Sequence, residues 1–188
     1  MTRAWLVAVM AVGCSFDPAA PPVTDDGAIA DSSPGDGSAD APPVDAPAAC
    51  PIPPSGCTLF SCDGSSSCYY ECARVSSYAE ARDRCSSRAL GCLATIDAVE
   101  ENVCIAQRVA PVFDGKMVYL GFRQDSGAAE PGAGWGWECG ASGFTAGNWG
   151  DYEPNNEGNE DCGLMIQNGA WIDGTCGASA VYVCELPR

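Results

Sequence analysis

Histidine is absent from all 188 residues. Without imidazole there is no Ser-His-Asp or Cys-His catalysis and no zinc site that needs a histidine ligand. Basic residues are scarce too: nine Lys and Arg stand against 25 Asp and Glu, a formal charge of −16. So negative a chain is repelled by phosphate backbones and anionic lipid headgroups, which argues against a nucleic-acid partner. The apolar run near the start, Ala4–Val12, is nine residues long, less than half of the ~20 that a bilayer span needs. The length suits one ordinary domain plus a tail and would cramp two. What the chain has in excess is cysteine, thirteen in all. A reducing cytosol would leave these as idle thiols, and an oxidising compartment would pair them.

The first fourteen residues read as an export signal. Arg3 is the positive flank, Ala4–Val12 the apolar heart, and residues 1–13 the expected signal peptide. The run closes on Ala11-Val12-Gly13-Cys14, which resembles a bacterial lipobox with Ala where Leu is usual. Cys14 is then the acylated anchor. Ordinary secretion with nearby cleavage is the alternative. Parity favours the anchor, since setting Cys14 aside leaves twelve cysteines that can pair completely. Any membrane association is thus expected through this lipid alone. Residues 15–49 follow with seven Asp, no Lys or Arg, and abundant Pro, Ala, Gly and Ser. Phe16, Val23, Ile29 and Val44 are too few to offset chain entropy, so a solvated, self-repelling linker is expected.

Composition changes at Cys50. Four of the five Trp, all six Tyr and twelve cysteines lie from there to Arg188, the expected folded domain. Ser77-Tyr78-Ala79-Glu80 has capping-box spacing, and Tyr78, Ala81, Cys85 and Ala89 follow on one side of a helix stopped by Gly91. Asp97 and Glu100 repeat the cap, with Val99, Val103, Ala106 and Ala110 as the expected core face and Pro111 as the stop. Leu93–Ile96 is a short strand or turn, and Val118–Phe122 a buried strand. Trp135 and Trp137 alternate as a strand would. Trp171 reads as core, while Trp149 is open between core and surface. The long Gly- and Asn-rich loops Asp125–Gly134 and Phe144–Asp161 call for restraint by cross-links or bound metal.

The densest chemistry lies in Trp149–Cys162, with five carboxylates and three Asn amides in fourteen residues. Like charges so close repel unless they are solvated or share a cation. The donors are all hard oxygens, which suit Ca²⁺. A merely solvated acidic loop is the plain alternative.

In order along the chain, Cys68-Tyr69-Tyr70, Ser77–Cys85, Leu93–Ile96, Tyr119-Leu120-Gly121-Phe122, Glu153-Pro154-Asn155, Glu160-Asp161-Cys162, Trp171-Ile172-Asp173 and Tyr182–Glu185 resemble the C-type lectin-like domain family. The likeness covers residues 57–185, nearly all of the expected domain. It implies an α+β fold with two helices flanking small antiparallel sheets and a long binding loop. It implies disulfides Cys85–Cys184 and Cys162–Cys176, and Cys57–Cys68 has the spacing of the N-terminal hairpin in long-form members. The first of these closes about 100 residues and restricts the unfolded chain by up to ~4.7 kcal/mol in the entropy picture. Cys92–Cys104, Cys62–Cys72 and Cys50–Cys139 are the pairs expected from the remainder, among 15 connectivities.

By the same resemblance Glu153, Asn155, Glu160 and Asp173 hold Ca²⁺, with Glu153–Pro154 cis, and Glu153, Asn155 and Glu160 contact sugar. Each of two neighbouring hydroxyls donates to a carboxylate and accepts from an amide. The Glu-Pro-Asn order implies a mannose- or glucose-type diol. Asn156, Asp161, Asp125 and Glu130 stand where some members bind an auxiliary calcium. Ile172 is a departure, because the family has Asn there. It removes an oxygen for the ion and a donor for the sugar, worth roughly 1.5–3 kcal/mol. The expected function is a non-catalytic, calcium-dependent glycan- or glycoprotein-binding module, exported and either lipid-anchored or secreted. A calcium-independent protein-binding or structural domain is the alternative. A glycosidase using two loop carboxylates is a third reading that nothing specific favours. No residue pattern specifies an oligomeric state.

Overall fold

The computed structural model describes residues 49–113, 115–140 and 147–188. The expected signal peptide, the Cys14 anchor and the linker short of Ala49 lie outside the described residues. Ten elements follow one another: β1 (Cys57–Phe60), β2 (Cys68–Ser76), α1 (Tyr78–Ser87), β3 (Cys92–Leu93), α2 (Val99–Phe113), β4 (Val118–Gln124), β5 (Trp135–Trp137), β6 (Cys162–Met165), β7 (Trp171–Gly174) and β8 (Ala180–Leu186). The sheet runs β1-β2-β8-β4-β6-β7, with β3 also on β8 and β5 also on β4. β4 and β8 are parallel, Val118 opposite Val181, and the other pairs are antiparallel.

The sheet is buried on both faces, and the two-residue period of its strands shows how. Tyr69, Leu120, Phe122, Val181 and Val183 join Ile105 and Val109 of α2 in one core. Tyr70, Tyr119, Tyr182 and Cys184 join Tyr78, Ala81 and Cys85 of α1 in the other. Phe122 is the hub of the first core, with the rings of Trp135, Trp137, Trp149 and Trp171 centred 4.5–5.6 Å away. All four tryptophans, Trp149 included, pack on that core. The α+β fold expected from the sequence is the one observed.

The capping box of α1 forms as expected, with Ser77 and Glu80 satisfying each other's backbone N–H. The helix ends earlier than Gly91, at Ser87, because Ala89 turns left-handed at φ 55°. Gly91 is needed for another reason: a Cβ there would sit 2.0 Å from the Glu185 carbonyl oxygen. The expectation for α2 needs three corrections. Glu101, not Glu100, reaches back to the Asp97 N–H. Pro111 lies within the helix, which continues to Phe113 although the missing N–H removes the bond to the Gln107 carbonyl. The buried face is Glu101, Asn102, Ile105, Ala106 and Val109, while Val99 and Val103 are 58% and 45% exposed. The buried polar pair decides this rotation. Tyr69 Oη donates to Glu101, and Asn102 accepts from Trp171 Nε1 at 2.7 Å while donating to Gly169 O at 3.0 Å.

All twelve cysteines from Cys50 onward are paired. Cys85 bonds Cys184, tying α1 to β8, and Cys162 bonds Cys176 across the mouth of the acidic loop. Four expected pairs are replaced. Cys57 faces Cys72 directly in the β1–β2 register, 4.1 Å apart at Cα, so these two bond each other, in place of Cys57–Cys68 and Cys62–Cys72. That leaves Cys68, at the far end of β2, to Cys50. Cys62 reaches across to Cys104 and fastens α2, in place of Cys92–Cys104. Cys92 on β3 bonds Cys139 just after β5, in place of Cys50–Cys139. Peptide mapping without reductant should recover the Cys57–Cys72, Cys62–Cys104 and Cys92–Cys139 links. Replacing Cys62 and Cys104 together by Ala should lower unfolding free energy by about 2–4 kcal/mol in a denaturant titration.

Candidate functional site

The acidic loop leaves and re-enters the sheet at one place. Trp149 bridges Trp171 in parallel, Trp171 N–H donates to Asn148 O at 2.7 Å, and Gly150 N–H donates to Trp171 O at 2.8 Å. Its far end runs into β6 at Cys162. Between these anchors the backbone turns sharply, with positive φ at Tyr152, Asn156, Gly158 and Asn159. Asn and Gly are the residues that accept such angles at least cost. Glu153–Pro154 is cis.

Asp173, on β7 and 3% exposed, holds the loop from beneath. Its Oδ1 accepts the Asn155 N–H at 3.0 Å and its Oδ2 the Asn156 N–H at 2.7 Å. The Asn155 amide donates to both oxygens of Glu153 at 3.0 Å. Its carbonyl oxygen accepts the Glu157 N–H at 2.7 Å, and Glu160 accepts the same N–H at 3.1 Å. The structure therefore gathers Glu153, Asn155, Glu160 and Asp173 from separate turns around one region. Ile172, between Trp171 and Asp173, turns away and packs half-buried on the core that contains α1.

Gathering three carboxyls has an electrostatic cost. Burial, then the Asp173 carboxyl beside it, pushes Glu153 up to about 7. Glu160 is raised by the same two causes. An oxygen-only set of partly desolvated like charges fits a hard divalent cation such as Ca²⁺. Among the described residues, however, no three Asp, Glu or Cys side chains form a ready-made cage, and both Asp173 oxygens already serve backbone donors. The donor chemistry fits calcium, and the carboxyls would need to close around it.

The proposed auxiliary residues are less convergent. Asn156 Oδ1 accepts the Glu160 N–H at 2.7 Å, and Asp161 accepts from the Asn159 amide at 3.2 Å. Asp125 belongs to a separate turn, donating its N–H to Gly134 O and accepting the Ala128 N–H. Glu130 precedes a cis proline in that turn. The link between the two groups is a backbone bond from Gln124 N–H to Asp161 O.

One residue had no role in the sequence reading. Tyr152, beside Glu153, is left-handed and 96% exposed. An aromatic within an otherwise polar loop is the signal that would have found it. A cavity of about 640 Å³ lies elsewhere, between residues 63–67, the start of α2 and β8. Its buried carboxylates are already engaged, Glu101 by Tyr69 Oη and Asp97 N–H, Glu185 by Thr95 N–H.

The sequence pattern of the Lectin C-type domain matches residues 74–186, more than half of the chain. The chain belongs to the C-type lectin domain family. Among solved structures, the carbohydrate-recognition domain of cow CD23, determined in the presence of a GlcNAc2Man3 oligosaccharide, is 25% identical at a TM-score of 0.58, over 74% of this chain and 98% of that one. The mouse scavenger receptor C-type lectin carbohydrate-recognition domain is 24% identical, TM-score 0.58, over 72% and 96%. A calcium-independent type II antifreeze protein is 24% identical, TM-score 0.54, over 72% and 95%. The lectin fold is thus shared with at least one calcium-independent protein.

The raised carboxyls of this lectin domain have a measurable consequence. Because Glu153 binds its proton more tightly folded than unfolded, its contribution to stability is full below about pH 4.5 and lost as pH rises through about 7. With chelator present, the melting temperature should fall across that window. Glu153→Gln should flatten the slope without abolishing it, since Glu160 and Glu185 are raised too.

Proposed function

We propose that this lectin domain is a non-catalytic, calcium-dependent carbohydrate-binding module for mannose- or glucose-type diols, presented on glycans or glycoproteins. The observation carrying it is the convergence of Glu153, Asn155, Glu160 and Asp173 on a loop stapled by Cys162–Cys176. Glu153, Asn155, Glu160 and Asp173 would hold the ion, which when bound offers coordination positions to two neighbouring hydroxyls. The hydroxyls would then donate to Glu153 and Glu160 and accept from the Asn155 amide, and Tyr152 would cover an apolar sugar face. The auxiliary set Asn156, Asp161, Asp125 and Glu130 would serve only if the Asp125 turn moved toward Asp161.

The same reading places the domain outside the reducing cytosol, because twelve cysteines are consumed in six disulfides. Cys14 is then the thirteenth, and its lipobox-like setting supports an acylated anchor with residues 15–49 as the tether. Among the described residues no helix is long and apolar enough to cross a membrane.

Ile172 favours a second reading, a calcium-independent protein-binding or structural domain. Its side chain leaves one ligand position without an amide, and Asp173 is satisfied by backbone alone. Under that reading Glu153→Gln leaves partner binding intact.

Calcium at about 10 mM, above the 10⁻⁴–10⁻³ M range of extracellular modules, should raise the melting temperature by mass action. Glu160→Gln should remove the rise. Ile172→Asn should tighten calcium binding about tenfold or more, at some cost in baseline stability. No calcium-induced shift in the parent protein overturns the proposal in favour of the second reading.

A further inference from the structure

Of the α2 stripe that the sequence assigns to the core, Ala106 is buried there, while Val99 and Val103, one helical turn apart, are exposed along a groove. Gln107 and Ala110 continue the line. Opposite them, Gln167 and Asn168 of the β6–β7 turn form the other wall of a groove of about 350 Å³. No charged side chain lines it among the described residues, although the chain as a whole carries −16. The Gln107 and Gln167 amides have no hydrogen-bond partner among the described residues, and the Asn168 Oδ1 is used by Ala170 N–H while its NH₂ is not. Pro111, lacking an N–H, also leaves the Gln107 carbonyl without its helical donor.

The groove walls are held firmly. Asn102 joins Gly169 O to Trp171 Nε1, Asn148 donates to the same Gly169 O, and Trp171 N–H donates to Asn148 O. The same strand, two residues on, supports the acidic loop through Asp173. A pre-formed surface with exposed valines and amides along its walls and no charge is complementary to a neutral polyhydroxylated chain: valines cover C–H faces, and amides both donate and accept. A charged peptide finds no counter-ion here. A second copy of the chain would bring a like charge of −16 against this one.

We propose that the groove between α2 and the β6–β7 turn is a second, calcium-independent contact site for neutral oligosaccharide. The ligand class rests on the carbohydrate reading above, but the site shares no residue with the acidic loop. The test is amide NMR of the full chain titrated with linear gluco- and manno-configured tetrasaccharides in chelator. Signals of Val99, Val103, Gln107 and Gln167 should move. Val103→Asp, at an exposed position that the fold does not need, should weaken this binding about tenfold, the factor equivalent to ~1.4 kcal/mol. Glu160→Gln should leave it unchanged. Loss of calcium-dependent binding with groove shifts intact sinks the acidic-loop reading alone. Absence of shifts at those four residues, an unaffected Val103→Asp, or concentration-dependent shifts there without sugar overturns the groove proposal.

Discussion

The candidate site depends on one carboxylate used as a bracket. Asp173 is almost wholly buried, and each of its oxygens takes a backbone N–H from successive residues of the acidic loop. Charge-assisted bonds of this kind are among the stronger hydrogen bonds in proteins, and here they fix the turn that follows the cis proline. Burial first, and then this same carboxyl, push Glu153 and Glu160 up. One group therefore shapes the loop and leaves it electrostatically unsatisfied. Such a loop is ordered enough to present ligands and charged enough to gain from a cation.

Around this bracket the covalent framework substitutes for what a modest core cannot supply. α2 is secured by three interactions of different kinds: the Cys62–Cys104 disulfide, the 2.8 Å ion pair between Arg108 and buried Glu71, and the indole-to-amide bond from Trp171 to Asn102. α1 is secured by its capping box and by Cys85–Cys184. The aromatic ring system around Phe122 joins β4, β5, β7 and the start of the acidic loop in one packed unit. Neither helix relies on its apolar face alone. That explains how α2 can leave valines in solvent.

Much of this was legible in the chain. The Ser77–Glu80 box, the buried Val118–Phe122 strand and the ordered motifs from Cys68 to Glu185 encode structure locally, so each could be read in place. The loop bearing Glu153, Asn155 and Glu160 was visible through charge density. What escaped was non-local. The rotation of α2 is set by Glu101 meeting Tyr69 and Asn102 meeting Trp171, 32 and 69 residues apart in sequence, and no helical period can show that. Disulfide pairing failed for the same reason, except at Cys85–Cys184 and Cys162–Cys176: Cys57, which the same resemblance paired with Cys68, finds Cys72 through strand register, and Cys62 finds Cys104 through packing. The occupation of Asp173 by backbone donors likewise follows from loop closure, which composition does not reveal.

The Cys50–Cys68 bond ties the segment preceding β1 to the start of β2, and Cys68 pairs with Leu186 at the end of β8. Tension applied at Cys50 would enter β2 directly through sulfur, alongside the chain through β1. From β2 it spreads laterally into β8 and on through Cys85–Cys184 to α1. A pull at Cys50 would therefore load β2 and β8 side by side, through sulfur at Cys50–Cys68 and Cys85–Cys184 and through hydrogen bonds between the strands.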